Sequence, residues 1–243
     1  MPTDPLAPIV ALPGVAAAVE RARDALVELH NHPVNRRGWP ATAAEASLRA
    51  ARASAALDGA PPARPDDAVA GPVLAGAVRV AEEQGRMLGV WRTSPLQALA
   101  RLHMLAAADL ATEAELGRPR PDAQVAARLA LLADLVTGGT AAPAPVVVAV
   151  VHGELLTLAP FGSADGVVAR AAGRLAAVAT GLDPKGLAVP EVGHLRRQRE
   201  YRAAAVGFAG GTADGIAAWV RHCCAQWEAG AREGRSIAEA RQN

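Results

Sequence analysis

The sequence predicts an all-α protein built as a single domain. Aromatic residues make up only 3% of the chain while apolar residues make up 51%, so the core has to be assembled mainly from small aliphatic side chains. Such side chains favour closely packed helices over sheets. Apolar residues also recur at helical spacing along most of the 243 residues, a length that is sufficient for one large core.

Charge, apolar runs and cysteine content indicate which partners and which cellular location to expect. A net charge of +1 gives no strong cationic footprint, so neither a nucleic-acid partner nor a membrane partner is expected. The most apolar run, 146–151, is far shorter than the roughly 20 residues of a membrane-spanning helix. Cys223 and Cys224 are adjacent, which excludes an ordinary disulfide framework. With no signal-peptide pattern at the N-terminus, these features predict a cytoplasmic protein.

The individual helices follow from apolar stripes, capping residues and stops. Helices are predicted over about residues 14–30, 42–58, 72–87, 95–116, 125–137, 146–158 and 166–180, with about two more after Gly181, the last capped near Thr212. Thr42 and Glu45 have the spacing of a capping box, and Gly59 is a left-handed stop. Ser94, followed by Pro95, gives a second capping signature. Residues 61–67 are predicted to form a loop.

The β-branched run after Pro145 is the one ambiguous element. Its residue types favour a strand, but the sequence contains no second strand-like run with which it could pair. Leu155, Leu156 and Leu158 continue the apolar pattern beyond the run. We therefore predict a buried helix here.

The segment from His152 to Arg174, HGELLTLAPFGSADGVVARAAGR, is the most informative part of the chain. It is predicted to contain a core helix, a tight turn at Pro160 and Phe161, a glycine-containing loop and the start of a new helix. Unpaired amides at a helix N-terminus point into the preceding loop, and the helix dipole favours negative charge there. The layout therefore predicts an anion cradle.

This segment resembles the signature HPFx[DE]GNGRxxR of the Fic family of adenylyltransferases. Pro160, Phe161, Gly166 and Arg170 stand at the family's Pro, Phe, second Gly and final Arg. Other matches fall in the family's order over about residues 42–232: Leu102 and His103, Gly117 to Arg120, His152, and a tail from Gly181 to Pro190 with Tyr201. The resemblance implies a Fido-like helical bundle. It also implies a nucleotide or anion site formed by Phe161, Asp165, Gly166 and Arg170. If a cofactor binds there, the resemblance implies ATP with magnesium.

Several signature positions depart from the family. The general base, a histidine in the family, is Ala159, which has no titratable group. Ser163 replaces the acidic magnesium ligand, Asp165 replaces the Asn and would repel a phosphate, and Val167 replaces the first Arg. Arg120 runs directly into the next predicted helix, so the family's β-hairpin flap has no counterpart. No catalytic residue and no metal ligand are therefore assigned.

A second resemblance concerns regulation. Many Fic proteins carry an inhibitory helix with the motif [ST]xxxE[GN], whose Glu pairs with the final Arg of the signature. Ser54, Asp58 and Gly59 read SxxxDG upstream of the signature. We therefore predict an ion pair between Asp58 and Arg170.

These observations predict an N-terminal helix and loop over residues 1–41, a Fic-like helical domain over 42–232 and a C-terminal tail over 233–243. The expected function is that of a pseudoenzyme: a regulatory or partner-binding module with residual nucleotide or anion binding. The expected partner is another protein or, alternatively, a second copy of the chain in a homo-oligomer.

The sequence leaves two alternatives open. One is a divergent transferase that moves AMP or another phosphate-containing group to a protein hydroxyl, with His152 or Asp165 recruited as the base. Asp165 would then also be free to turn outward towards a metal. The other is a purely structural interaction protein in which the loop binds nothing and exposed apolar helix faces mediate assembly.

Overall fold

A computed structural model of the chain describes residues 4–61 and 71–240, and every regular element in these ranges is helical. The all-α prediction is confirmed. A five-residue π-helical turn, Leu135–Gly139, follows the seventh helix. The helices are α1 Ala7–Val10, α2 Val15–Asn31, α3 Pro33–Arg37, α4 Trp39–Leu57, α5 Pro72–Thr93, α6 Pro95–Ala106, α7 Ala123–Asp134, α8 Ala144–Leu158, α9 Asp165–Ala179, α10 Pro190–Arg196, α11 Gln198–Ala209 and α12 Ala213–Ala240.

Helices α8 and α9 lie at the centre of the molecule and pack against each other. Helix α8 contains the β-branched run and is apolar on nearly all sides, as expected of a helix enclosed by others. It is covered by α11 and α12, while α5 and α6 pack on α9. The prediction of a buried helix in this segment is confirmed. The run has no strand partner among the described residues, so its backbone amides and carbonyls pair within the helix instead.

Close packing in this core depends on small residues. Gly153 in α8 lies against α12, and a β-carbon at this position would stand 2.5 Å from Nε1 of Trp219. That indole nitrogen donates a hydrogen bond to the carbonyl of Ala149, one turn earlier in α8, at 2.8 Å. Helix α2 packs along most of the length of α12 and contributes Leu26 and Leu29 to the same core. The molecule is therefore a single domain.

Several helix boundaries differ from those predicted. Helix α4 begins at Trp39, because Pro40 starts the helix before Thr42 is reached, so the predicted capping box is wrong. Thr42 is instead buried in the helix, and Glu45 pairs with Arg49. Helix α5 continues to Thr93 rather than ending near residue 87.

Helix α6 begins at Pro95 as predicted but ends at Ala106 rather than near residue 116. Residues 107–116 form turns, in which the Glu115 carboxylate accepts hydrogen bonds from the amide and hydroxyl of Thr112. This local pairing competes with helical bonding. Ser94 stands at the N-cap, but its side chain makes no capping hydrogen bond there.

After Gly181 the chain forms three helices, α10, α11 and α12, rather than about two. Helix α12 begins at Ala213, just after Thr212, and continues past residue 232 to Ala240. The predicted loop over 61–67 lies outside the described residues except for Pro61. Only Pro121 and Asp122 separate Arg120 from α7, which leaves no room for a β-hairpin flap.

None of the helices within residues 4–61 and 71–240 is both long enough and apolar enough to cross a membrane.

Candidate functional site

The candidate site is formed around the loop that joins α8 to α9. Ala159 and Ala164 bound this loop, and both have left-handed backbone conformations, with φ angles of 45° and 50°. Such angles are unfavourable for a residue with a β-carbon and are often found at functional loops. The loop keeps this shape although alanine occupies both positions.

Asp165 fills the predicted anion cradle with its own carboxylate. Its Oδ1 accepts a hydrogen bond from the amide of Phe161 at 2.9 Å, and its Oδ2 accepts one from the amide of Gly162 at 2.8 Å. Burial raises the pKa of the Asp165 carboxyl, an effect that the two amide bonds oppose. The side chain therefore points into the loop, and the two amides that would face an external anion are already occupied.

Arg120 fixes the entrance to the loop. Its guanidinium donates to the carbonyls of Leu158 and Ala159 at 2.9 and 3.1 Å, and its amide donates to the carbonyl of Pro160 at 2.8 Å. The guanidinium thus satisfies carbonyl groups at the C-terminal end of α8, where a positive charge is favoured by the helix dipole. The Gly117 to Arg120 segment singled out by the resemblance therefore holds the signature loop in place.

His103 lies beneath the loop, with its ring stacked on Phe161 at a centroid separation of 4.3 Å and an interplanar angle of 6°. Its Nδ1 accepts a hydrogen bond from the amide of Gly117 at 2.9 Å. The ring proton of the neutral imidazole is therefore on Nε2, which donates to the hydroxyl of Ser163 at 3.0 Å. Burial lowers the pKa of His103. In this tautomer His103 cannot take a proton from Ser163.

Arg170 is almost completely buried and is held by α4 on one side and α11 on the other. Its Nη2 donates to Asp58 Oδ1 at 2.7 Å and to the carbonyl of Ser54 at 2.9 Å, and its Nε donates to the Ser54 hydroxyl at 2.8 Å. Nη1 lies 3.4 Å from the hydroxyl of Tyr201. The predicted ion pair between Asp58 and Arg170 is confirmed.

Asp58 also covers the beginning of α9. The Asp58 carboxylate lies directly over Gly166, where a β-carbon would stand 2.6 Å from Oδ2. Gly59, which follows, has a φ angle of 89° and ends α4 as the sequence predicted. The Asp58 carboxylate therefore occupies the space between Arg170 and the start of α9.

A cluster of three histidines, two of them buried and His222 half-buried, lies behind Arg170, and sequence reasoning did not find it. The Tyr201 hydroxyl lies 2.8 Å from His152 Nε2, and His194 Nδ1 lies 3.1 Å from His222 Nε2. Burial lowers the pKa values of His152 and His194 well below the ordinary value and lowers that of His222 to about 4. Burial also raises the pKa of Tyr201 to about 12. All four groups are therefore neutral at pH 7.

The residues at the loop do not fit a magnesium ion. Magnesium prefers carboxylate and water oxygens in near-octahedral geometry. Ser163, at the position of the family's acidic ligand, is engaged by His103, and the carboxylate of Asp165 is engaged by two backbone amides. Within residues 4–61 and 71–240, no group of three histidine, cysteine or acidic side chains is arranged to hold a metal.

The fold can be compared with solved structures. A Fic family protein from Desulfovibrio desulfuricans G20 is 21% identical to this chain with a TM-score of 0.63, and the match covers 92% of this chain and 74% of that chain. Two structures of Fic-1 from C. elegans are each 16% identical, with TM-scores of 0.68 and 0.66, and cover 92% of this chain and 71% of theirs. No protein-family model matches the sequence, and no curated protein matches it.

These likenesses extend over nearly the whole chain but are low in sequence identity, so they identify the fold rather than the activity. The helices, the signature loop and the pairing of Asp58 with Arg170 occur in the order that the resemblance implied. The chain therefore has the Fido fold of the Fic family proteins.

Proposed function

We propose that this protein is a Fic-fold pseudoenzyme that acts as a regulatory or partner-binding module. The observation that carries the proposal is the state of the signature loop. Ala159 stands where the family has its histidine base, and the Asp165 carboxylate accepts hydrogen bonds from two amides of the loop. Such a loop has no proton acceptor at this position, and its own carboxylate bonds the amides that would face a ligand. It therefore fits a structural or partner-binding role better than group transfer.

Residual nucleotide or anion binding is part of the proposal and depends on Asp58. The start of α9 and the guanidinium of Arg170 form a positive region that fits a phosphate. Asp58 satisfies this region in the closed protein, lying against both Gly166 and Arg170. A phosphate group can take this place only after the end of α4 moves away. Ser54, Asp58 and Gly59 would then form the element that regulates binding.

The geometry is less favourable for the alternative, a divergent transferase. Nε2 of His152 is directed towards the Tyr201 hydroxyl, and burial holds the pKa of this imidazole well below the ordinary range. Asp165 would have to give up two amide bonds before it could act as a base or bind a metal. Neither side chain is poised to accept a proton from a target hydroxyl.

The first experiment measures thermal stability with and without ATP and magnesium in the unmodified protein and in Asp58→Ala. A ligand that binds only the folded state stabilises it by about 2.7 kcal/mol at a hundredfold excess over the dissociation constant. We expect a clear increase in Tm for Asp58→Ala and a smaller one or none for the unmodified protein. Asp109→Ala is the matched control, because it removes an aspartate that pairs with an arginine on the surface.

The same proteins are then incubated with labelled ATP and a mixture of protein substrates. Transfer of label by the unmodified protein or by Asp58→Ala would contradict the assignment as a pseudoenzyme and favour the divergent transferase. An equal response of all three proteins to ATP would exclude regulation by Asp58.

Sedimentation over a wide range of concentrations tests whether the chain forms a homo-oligomer. The two buried, unpaired cysteines are consistent with action in the reducing cytoplasm.

A further inference from the structure

A second cleft lies beside the C-terminal half of α9, away from the signature loop. It is bounded by α4, α5, α9 and the loop that contains Lys185, and its volume is about 290 Å³. Val178, which lines the cleft, is thirteen residues beyond Asp165 in the same helix, which is about 20 Å along the helix axis. The cleft is therefore distinct from the candidate site described above.

The walls of the cleft are apolar and include two tryptophans. Leu88, Leu175 and Val178 form the aliphatic part, with Trp227 beside them and Trp39 at the mouth. Trp39 is 38% exposed, so its indole is accessible at the mouth of the cleft. A volume of about 290 Å³ is near the lower limit for small-molecule sites, which are typically about 300–1,000 Å³. These walls suit a small planar or aliphatic ligand body.

The charged groups that line the cleft indicate that its ligand carries a negative charge. Arg174 is paired with Glu191, and the carboxylate of Asp183 accepts hydrogen bonds from the amides of Leu187 and Ala188 and lies 2.8 Å from Nε2 of His30. Lys185 is the only lysine of the chain, and its ammonium group donates to the carbonyl of Asn35 at 3.1 Å. Within the described residues no carboxylate is paired with it.

We propose that this cleft is a binding site for a small organic anion with an apolar, ring-containing or short aliphatic body. The apolar body lies between Leu88, Val178 and Trp39, and the anionic group is directed to the ammonium of Lys185. Each part of the ligand is matched to one feature of the cleft: apolar surface by the walls, a planar ring by the exposed indole, and negative charge by the lysine. This site is independent of the proposed function of the signature loop.

Helix α5 supplies a clean pair of test variants. Gly85 lines the cleft and is exposed, and a β-carbon added there meets no atom within 4 Å. Gly89 lies one turn further along the same helix, is equally exposed and unobstructed, and is not part of the cleft. Gly85→Phe therefore places a ring in the cleft without disturbing the core. Gly89→Phe adds the same ring to the surface outside it.

The probe is 1-anilinonaphthalene-8-sulfonate, an aromatic sulfonate whose fluorescence rises in apolar surroundings. We expect saturable binding of one dye per chain to the unmodified protein and to Gly89→Phe, with at least about tenfold weaker binding to Gly85→Phe. Lys185→Met is expected to weaken binding by about tenfold, and Lys185→Arg to retain it, because a charge-assisted hydrogen bond is lost only in the former. The uncharged N-phenyl-1-naphthylamine is expected to bind at least about tenfold more weakly than the sulfonate.

Circular dichroism and thermal unfolding establish that each variant is folded before the titrations are compared. The proposal is overturned if the dye does not saturate at one site, or if Gly85→Phe binds it as well as Gly89→Phe does. Equal binding of the charged and uncharged dyes would likewise refute the role of Lys185. Because the titrations contain no nucleotide, their outcome does not depend on the state of the signature loop.

Discussion

The backbone of Gly166 and the carboxylate of Asp58 are in such close contact that a β-carbon on Gly166 would stand 2.6 Å from Asp58 Oδ2. This contact joins the end of α4 to the start of α9 at the point where the signature loop enters the helix. It gives a direct way to displace Asp58 without changing Asp58 itself.

Gly166→Ala is expected to force Asp58 away from Arg170 and to lower the free energy of unfolding by about 1–3 kcal/mol, the usual cost of overpacking. Urea unfolding measures this change. In an Asp58→Ala background the added methyl group meets no carboxylate, so the same substitution should cost much less. Equal costs in the two backgrounds would mean that the clash is not with Asp58.

Arg170→Met is expected to destabilise the protein by about 3–5 kcal/mol, because the substitution leaves a carboxylate and buried acceptors without their donor. Arg170→Lys should also be destabilising, since a single ammonium cannot reproduce the fork that contacts Ser54 and Asp58 together. The control is Arg86→Met, at an ion pair whose arginine side chain is 76% exposed. Its effect should fall within about 0.5 kcal/mol. A similar loss of stability in Arg170→Met and Arg86→Met would show that the buried Arg170 contributes no more than an exposed arginine.

The histidine cluster predicts acid sensitivity. The folded-state pKa values of His152, His194 and His222 lie below the ordinary value, so the unfolded chain binds protons first as the pH falls. Their contribution to stability is fully present above about pH 6.5 and is lost as the pH decreases towards the folded values, which for His222 is about 4.

We expect the free energy of unfolding to fall between about pH 6.5 and 4, and to fall less steeply in His222→Asn. Urea unfolding at a series of pH values measures the slope. Phe208→Leu is the control, because it removes a ring next to Trp219 without removing a titratable group. That variant should be less stable at every pH with an unchanged slope. An unchanged slope in His222→Asn would contradict the prediction.

The two alanines with positive φ angles predict stabilising glycine substitutions. Ala159→Gly and Ala164→Gly should each raise the free energy of unfolding by about 0.5–1 kcal/mol, because glycine adopts the left-handed conformation without a steric penalty. Ala203→Gly, at an exposed position inside α11, should lower it by a similar amount. Thermal or urea unfolding distinguishes the signs. Destabilisation by all three substitutions would show that the loop alanines are not strained.

Much of this architecture could be predicted from the sequence because its signals are local. Apolar periodicity located most of the helices, and the absence of a second strand-like run identified α8 as a helix. The ordered matches to the Fic signature also led to the pairing of Asp58 with Arg170, which are 112 residues apart. The capping box at Thr42 was wrong because Pro40 already starts the helix, and two competing local signals cannot be ranked from spacing alone.

The state of the site was decided only by the tertiary structure. The sequence showed that Asp165 replaces an asparagine, but whether its carboxylate faces outward or bonds the amides of Phe161 and Gly162 depends on the left-handed turns at both ends of the loop. The tautomer of His103 depends in the same way on the amide of Gly117, fourteen residues away. The sequence by itself thus determined the helices and the residue types available at the loop. The packed structure determined which donors and acceptors meet, because hydrogen bonds form only where the fold brings their atoms within about 3 Å of one another.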